Sequence, residues 1–122
     1  MINEKNQKFD LEERTSIFAE KVISFAKLIK RSPINNPLTN QIVKSSTSIG
    51  ANYCEADSAE SHNDFIHKIG ICKKEAKGTR YWIRIIVKAN FELEEKAKPL
   101  WQEANELFYI FAAIVKNTKN HQ

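Results

Sequence analysis

The chain has 122 residues, of which 42% are apolar and 28% charged, and its formal net charge at pH 7 is +4. This length and composition are typical of one globular domain that buries its core without disulfides or metal, and they exclude a disordered chain. Three glycines and three prolines are too few for a β-sandwich or barrel, and no apolar run is long enough for a transmembrane helix or a signal peptide. We therefore expect a single cytoplasmic domain over residues 1–122.

The first helix is predicted over residues 10–31. Asp10 and Glu13 have the spacing of a capping box, which marks a helix start. Pro33 ends the helix, because proline cannot continue one. The apolar residues between them recur at steps of seven, four, three and four, which places them on one face: Leu11, Phe18, Val22, Phe25 and Ile29.

The second helix is predicted over residues 37–56, with Asn36 as its cap and Pro37 in the first helical position. Residues 45–51 have poor helix propensity, since they are mostly Ser, Thr and Gly. Small side chains allow a neighbouring backbone to approach closely, so we expect packing to hold this segment helical. A flexible loop is the alternative. The inner face of this helix consists of Leu38, Ile42, Ser46, Ile49 and Tyr53.

The third helix is predicted over residues 62–90 and the fourth over residues 95–117. Ser61 and Asp64 mark the start of the third helix, and Pro99 is tolerated only near the start of the fourth. Short connections place successive helices side by side, so the expected fold is an all-α, antiparallel, up-down-up-down four-helix bundle. The core face of the third helix follows steps of four and three: Phe65, Ile69, Cys72, Ala76, Thr79, Ile83, Ile86 and Asn90.

Two further faces of the third helix have distinct compositions. The helix carries seven Lys or Arg residues against two acids, an excess of five that is larger than the net charge of the whole chain. The basic flank comprises Lys73, Lys77, Arg80, Arg84 and Lys88. The apolar flank comprises Ile71, Gly78, Trp82, Ile85 and Ala89.

The apolar flank and the fourth helix predict self-association. Apolar residues cover more than half of the circumference of the fourth helix, whereas a surface helix usually has one apolar stripe. Because one chain cannot cover both surfaces, we expect a homo-oligomer. Alternatively, Trp82 and Trp101 cap the ends of the bundle. The predicted interface residues are Ile71, Trp82, Ile85, Leu100, Leu107 and Ile114.

The histidines, cysteines and acidic residues of this sequence do not show the spacing of a catalytic or metal-binding motif. His62 and His67 are five apart and do not share a helix face, so no metal site or cofactor is expected. Cys54 and Cys72 are interpreted as reduced core thiols, with a disulfide as the alternative. Glu55 and Glu75 are expected to pair with Arg80 or Arg84 as structural hydrogen bonds, and an enzyme is not expected.

Four short segments of the second and third helices have a specific pattern: Ser48-Ile49-Gly50-Ala51-Asn52, Asp64-Phe65, Lys74-Glu75-Ala76 and Thr79-Arg80-Tyr81-Trp82. With these segments the chain resembles the 23S rRNA intervening-sequence protein family, over roughly residues 10–117. It departs from the family pattern at Ala56, where a glycine usually follows Glu55, and at Gly78, where a glutamate is common. The first departure leaves the end of the second helix open, and the second makes the basic flank more positive.

The resemblance implies a homopentamer of four-helix bundles with a positively charged surface, in a bacterial protein. A related protein of diversity-generating retroelements is associated with nucleic acid and with a reverse transcriptase, so RNA or DNA and such an enzyme are expected partners. Two functions follow. The basic flank binds nucleic acid without sequence preference, because Lys and Arg neutralise phosphates; alternatively, it docks an acidic protein partner, and the chain is a scaffold or accessory subunit.

Overall fold

The computed structural model describes the backbone of residues 4–120 and the side chains of residues 11–118. This part of the chain contains four α-helices and no strand, which confirms the all-α prediction. A short 3-10 turn, Phe91–Leu93, connects the last two helices. The helices are α1 Glu4–Ala26, α2 Asn35–Asp57, α3 His62–Ala89 and α4 Glu94–Asn120.

Both ends of α1 differ from the prediction. The helix begins at Glu4, so Asp10 lies inside it and is not its cap; the side chain of Asp10 lies outside the described residues. The helix ends at Ala26, after which the backbone tightens, because the amides of Leu28 and Ile29 bond to carbonyls three residues back at 2.9 and 3.1 Å. Ile29 nevertheless remains in the core, so the apolar period continues beyond the helix.

The turn before α2 is capped by Ser32 and not by Asn36. The Ser32 hydroxyl accepts a hydrogen bond from the Asn35 amide at 2.9 Å, and the Ser32 amide donates to the Asn36 side-chain oxygen at 3.2 Å. This reciprocal pair resembles a capping box, with Pro33 in the first position after the cap. Pro33 therefore begins the turn into α2, although the sequence suggested only that it ends the first helix.

The small-residue segment of α2 is helical throughout, so the alternative of a flexible loop is wrong. Thr79 of α3 hydrogen-bonds to Ser45 at 2.8 Å between their hydroxyl oxygens, and both side chains are buried. On the other side of α2, α1 approaches so closely that a Cβ on Gly50 would lie 3.2 Å from the Thr15 hydroxyl oxygen. Tertiary packing thus compensates for the poor helix propensity of this segment.

The four helices share one core, in which α2 contacts α3, α3 contacts α4, and α1 contacts both α2 and α4. Ser61 caps α3 as predicted, since its hydroxyl accepts a hydrogen bond from the Asp64 amide at 3.0 Å. Helix α4 begins at Glu94, one residue earlier than predicted, and Pro99 lies near its start. The core face of α3 is as predicted, with these residues buried: Ile69, Cys72, Ala76, Thr79, Ile83, Ile86 and Asn90.

Arg14 connects α1 to α4. Its guanidinium donates two hydrogen bonds to the Glu103 carboxylate, at 2.7 and 2.8 Å, and one to Glu106 at 3.1 Å. These carboxylates hold the pKa of Arg14 above its ordinary value, and the largest cause is the hydrogen bonding that Glu103 accepts from the guanidinium. These side chains are only partly buried, so the network contributes little to the free energy of folding. Its main effect is to fix the position of α1 against α4.

A buried amide pair fixes the contact between the start of α2 and the end of α3. Asn35 and Asn90 each donate a side-chain hydrogen bond to the other at 2.9 Å. Their remaining amide hydrogens bond to the carbonyls of Lys30 and Ile86. An amide pair of this kind penalises any shift of one helix along the other, because the shift would leave buried polar groups unpaired.

We predict that Asn90→Ala destabilises the protein by about 1–3 kcal/mol, because it leaves a buried polar group of Asn35 without its partner. Urea unfolding followed by circular dichroism measures the change. Asn117→Ala, at an exposed position of α4, is the matched control and is expected to change stability by no more than about 0.5 kcal/mol. Equal stabilities of the two variants would show that the amide pair is energetically neutral.

Candidate nucleic-acid interface

The basic flank of α3 runs beside α4. Lys73 and Arg80 are half-buried against the neighbouring helix, whereas Lys77, Arg84 and Lys88 are exposed. This difference follows from the helical period, since residues at 73 and 80 lie closest to the core face. The flank is therefore one surface with an inner row of two cations and an outer row of three.

Arg80 is held by two residues of α4. Its guanidinium donates a hydrogen bond to the side-chain oxygen of Asn105 at 2.6 Å, and it lies over the Phe108 ring, 4.3 Å from the ring centroid. The Lys73 ammonium approaches the same ring, at 5.8 Å from its centroid. Phe108 thus gathers both cations of the inner row through cation–π contacts.

The expected ion pairs of the basic flank with Glu55 are absent from this structure. Glu55 instead accepts a hydrogen bond from Lys68 at 2.7 Å, because both lie where α2 meets α3. Arg80 lies on the opposite side of α3 and bonds to Asn105, so its predicted pairing with Glu55 or Glu75 is wrong. Arg84 has no ion pair among the residues whose side chains the structure describes.

The outer row consists of cations that have no partners among the side chains of residues 11–118. In the described part of the chain, the ammonium or guanidinium groups of Lys77, Arg84 and Lys88 make neither a hydrogen bond nor an ion pair, and the same is true of the neighbouring Lys74. An anion that contacts them would therefore break no existing salt bridge. This is the electrostatic arrangement that phosphate binding requires.

Two depressions lie between α3 and α4, and we call them together the α3–α4 groove. The first, of about 490 Å³, has three lysines and a floor of apolar side chains; its lining is Gly70, Lys73, Lys74, Lys77, Phe108 and Val115. The second, of about 340 Å³, is lined by Ile83, Arg84, Val87, Glu94, Ala97, Lys98 and Trp101.

Phe108 and Lys74 were not assigned to this surface from the sequence. Trp101 was assigned only to a bundle end, yet its partly exposed ring lines the second depression. The seven-residue spacing of Trp101 and Phe108 places them on one face of α4, and this signal is visible in the sequence. Its meaning depends on how α4 is rotated against α3, which the spacing alone does not determine.

The apolar flank of α3 is only partly covered by the chain itself. Ile71, Trp82 and Ile85 are half-buried, and Trp82 packs against the core. Ile71 and Ile85 do not belong to the core cluster or to the side chains packed against it. A Cβ on Gly78 would meet no atom within 4 Å, so nothing within the described chain explains a glycine there.

The fourth helix contributes less to an interface than the sequence suggested. Leu100 and Leu107 are 6% and 0% exposed in the single chain, so their assignment as interface residues is wrong. Ile114 is half-buried and packs against the core. Apolar residues cover more than half of the circumference of α4 because its core face and its contacts with α3 and α1 occupy adjoining sectors.

An apolar groove between α1 and α4 was not anticipated. Its volume is about 520 Å³, and its lining includes Ile17, Lys21, Leu28 and Pro99. Ile17 and Leu28 are 40% and 48% exposed and line the same groove, so together they form an exposed apolar patch. This second apolar surface adds to the area that the single chain leaves in contact with water.

The two cysteines differ in their surroundings, and neither forms a disulfide. Cys72 is buried in the core as predicted, and burial raises the pKa of its thiol to about 12. Cys54 is exposed, so its interpretation as a core thiol is wrong. Partial desolvation and the carboxylate of Glu12, whose oxygen lies 3.8 Å from the sulfur, raise the pKa of the Cys54 thiol above its ordinary value.

These pKa shifts predict slow thiol chemistry at neutral pH, because the thiolate is the reactive form and raised pKa values reduce its fraction. At pH 7.5 we expect iodoacetamide to modify only Cys54, more slowly than it modifies a small unhindered thiol, with a rate that rises with pH beyond 9. Cys72 is expected to react only after denaturation. Mass spectrometry of the labelled protein measures both, and fast labelling of native Cys72 would contradict the burial.

The described residues contain no group of three His, Cys, Asp or Glu side chains arranged to hold a metal ion. Among the helices that the structure describes, none combines the length and hydropathy needed to cross a membrane.

The fold and this surface define a class of protein: a small chain whose described residues form four α-helices, with a strip of cations along one of them that have no ion-pair partner among the described side chains. The family model of the 23S rRNA-intervening sequence protein matches residues 7–113, so the chain belongs to that family and the resemblance is confirmed. A solved protein with unknown function from the S23 ribosomal protein family of Bacteroides thetaiotaomicron VPI-5482 is similar, with 28% identity and a TM-score of 0.81. The similarity covers 89% of this chain and 97% of that one. No curated protein matches the chain significantly.

Proposed function

We propose that this protein is a non-enzymatic, homo-oligomeric four-helix bundle of the bacterial cytoplasm that binds nucleic acid through the basic flank of α3. The observation that carries the proposal is the outer row of cations, Lys77, Arg84 and Lys88, which have no partners within the described chain. Phosphate neutralisation by such residues supplies most of the affinity of sequence-independent binding.

The antiparallel up-down-up-down arrangement is part of this proposal. Contacts between α2 and α3 support it, since Glu55 meets Lys68 while Asn35 meets Asn90. Residues early in one helix thus pair with residues late in the next. Short connections between the helices favour the same arrangement.

Self-association is supported by the apolar surface that one chain leaves uncovered. Ile71 and Ile85 lie outside the core cluster, and the groove between α1 and α4 exposes Ile17 and Leu28. Five subunits are the number that the family resemblance implies. Repetition of a basic flank around an oligomer multiplies a modest affinity, because each additional contact is intramolecular once the first has formed. The expected partners are thus copies of this chain and RNA or DNA, and a reverse transcriptase is a further candidate by resemblance.

The phosphate contacts predict a charge-dependent loss of affinity. Lys77→Gln combined with Lys88→Gln is expected to weaken binding about equally for every nucleic-acid sequence, because phosphates carry no sequence information. The slope of log affinity against log salt should flatten by roughly 1.8 if both lysines contact phosphates of B-form DNA. Fluorescence anisotropy with labelled RNA and DNA at low and moderate salt measures both quantities.

Lys27→Gln combined with Lys30→Gln is the matched control, since it removes the same charge from exposed positions after α1 and outside the flank. The control is expected to retain most of the affinity and the original salt slope. Equal losses in the two variants would show that only net charge matters. Absence of salt-dependent binding by the parent protein would overturn the proposal and favour the docking of an acidic protein partner.

The apolar flank predicts that a charge placed on it disrupts the oligomer. Ile85→Glu should yield smaller particles, because assembly would bury a carboxylate without a partner. Helical content should be retained, since Ile85 does not belong to the core of the single chain. Light scattering measures the mass, and circular dichroism measures the helicity.

Ile23→Glu is the control, because it places the same charge at another partly exposed isoleucine, near the end of α1. We expect it to leave the particle mass unchanged. A monomeric parent protein at micromolar concentration would contradict self-association, and a full-sized Ile85→Glu particle would place the interface elsewhere.

A further inference from the structure

We propose that the α3–α4 groove binds single-stranded nucleic acid, with Phe108 and Trp101 as stacking positions for unpaired bases. The inference rests on the proposed nucleic-acid function and restricts it to a class of ligand. The structure juxtaposes two things that the sequence keeps apart: the cations of α3 and two aromatic rings of α4 spaced along the same groove.

The first depression has the chemistry of a nucleotide site. Three lysines, Lys73, Lys74 and Lys77, stand around a floor formed by Phe108 and Val115, and no carboxylate is among the lining residues. Cations at the rim match phosphates, and an apolar aromatic floor matches the face of a base. An acidic protein segment would use the lysines but would leave the aromatic floor without a function.

Arg80 and Phe108 form a stack before any ligand is present. The guanidinium lies 4.3 Å from the ring centroid, and the hydrogen bond to Asn105 fixes its orientation. Bases stack on both arginine planes and aromatic rings in single-strand recognition. Because the guanidinium covers the ring face over which it lies, a base at this position stacks on the guanidinium, with Phe108 behind it. The pair is preorganised, which reduces the ordering that binding requires.

The second depression continues the same track. Trp101 lies seven residues before Phe108, which corresponds to about 10 Å along the axis of α4. The cations Arg84 and Lys98 line this depression with one carboxylate, Glu94. The charge is thus less positive than in the first depression, while the aromatic ring is more accessible at 39% exposure. Two bases of one strand are expected to stack here, one on Trp101 and one on the Arg80–Phe108 pair.

A duplex cannot use these rings, because its bases are stacked on one another, so their edges are accessible in the grooves but their faces are not. Flat basic surfaces bind duplex and single strand by charge alone. The aromatic rings therefore add affinity for unpaired bases only, and preference for the single strand is the property that distinguishes this groove from an ordinary basic face.

Gly70 provides a second, independent indication. It lines the first depression, and a Cβ at this position would meet no atom within 4 Å. Glycine weakens a helix interior relative to alanine, and no packing within the described chain requires it here. A bare backbone at the wall of the depression allows a ligand to approach closely. Gly70→Ala is therefore expected to raise the melting temperature and yet weaken single-strand binding.

The experiment compares labelled single-stranded RNA, single-stranded DNA and a blunt DNA duplex of equal length by fluorescence anisotropy at moderate salt. We expect both single strands to bind at least about tenfold more tightly than the duplex, since one base stack contributes roughly that factor. Phe108→Leu keeps an apolar side chain but removes the ring. It should lower single-strand affinity about tenfold and lower duplex affinity by clearly less, because a duplex is affected only through the loosened side chains of Arg80 and Lys73.

Phe91→Leu is the control, because Phe91 is an exposed aromatic residue outside the groove, and it should change neither affinity. Trp82→Phe provides a second measurement that is independent of the stability of Phe108→Leu. The chain has two tryptophans, and this substitution leaves Trp101 as the one that remains. Single strands should quench the fluorescence of Trp101, whereas the duplex should not.

Equal or tighter binding of the duplex, or an unquenched Trp101 with a saturating single strand, would overturn the inference and leave the proposed function standing. The inference would also be overturned if Phe108→Leu lowered duplex affinity as much as single-strand affinity. The ring would then serve only to position the cations of the basic flank. Absence of binding to all three probes would overturn the proposed function itself.

Discussion

The close approach of α2 and α3 is the constraint on which the remaining structure depends. Both helices present small or hydroxyl side chains to each other, and the buried hydroxyls of Ser45 and Thr79 satisfy one another across the contact. Within the residues whose side chains are described, no buried polar side-chain atom lacks a hydrogen-bond partner. Close packing requires small side chains in this part of α2, and these small residues have poor helix propensity.

This contact fixes both the position and the rotation of α3. The amide pair of Asn35 and Asn90 sets the register at one end, and the Lys68–Glu55 ion pair lies toward the other. With its core face directed by α2, the helix must turn its basic flank toward α4, where Phe108 and Asn105 receive Arg80. The buried amide pair, which sets how α3 lies along α2, therefore also determines that the basic flank of α3 faces α4.

The sequence predicts α3 well and α4 poorly, and the reason is physical. On α3 the apolar, basic and core residues occupy separate sectors, so a period of 3.6 residues distinguishes them. On α4 the apolar residues of the core face and of the groove occupy adjoining sectors, so the same period does not separate a core residue such as Leu107 from a groove residue such as Phe108. The error at Asn36 has another origin. Ser32 and Asn36 both have capping side chains, and the competition between them is decided by the path of the chain after α1.

The three faces of α3 are compatible with simultaneous use. At 100° per residue, the basic flank and the apolar flank are separated by roughly 130°, or about a third of the circumference of the helix. A subunit contact at Ile71 and Ile85 therefore leaves the α3–α4 groove open on the other side. A single groove offers only two aromatic rings and a few cations, which is modest for stable binding. The proposed oligomer would repeat it at fixed spacing, so that one strand would engage several grooves and the assembly would supply the affinity that the single chain lacks.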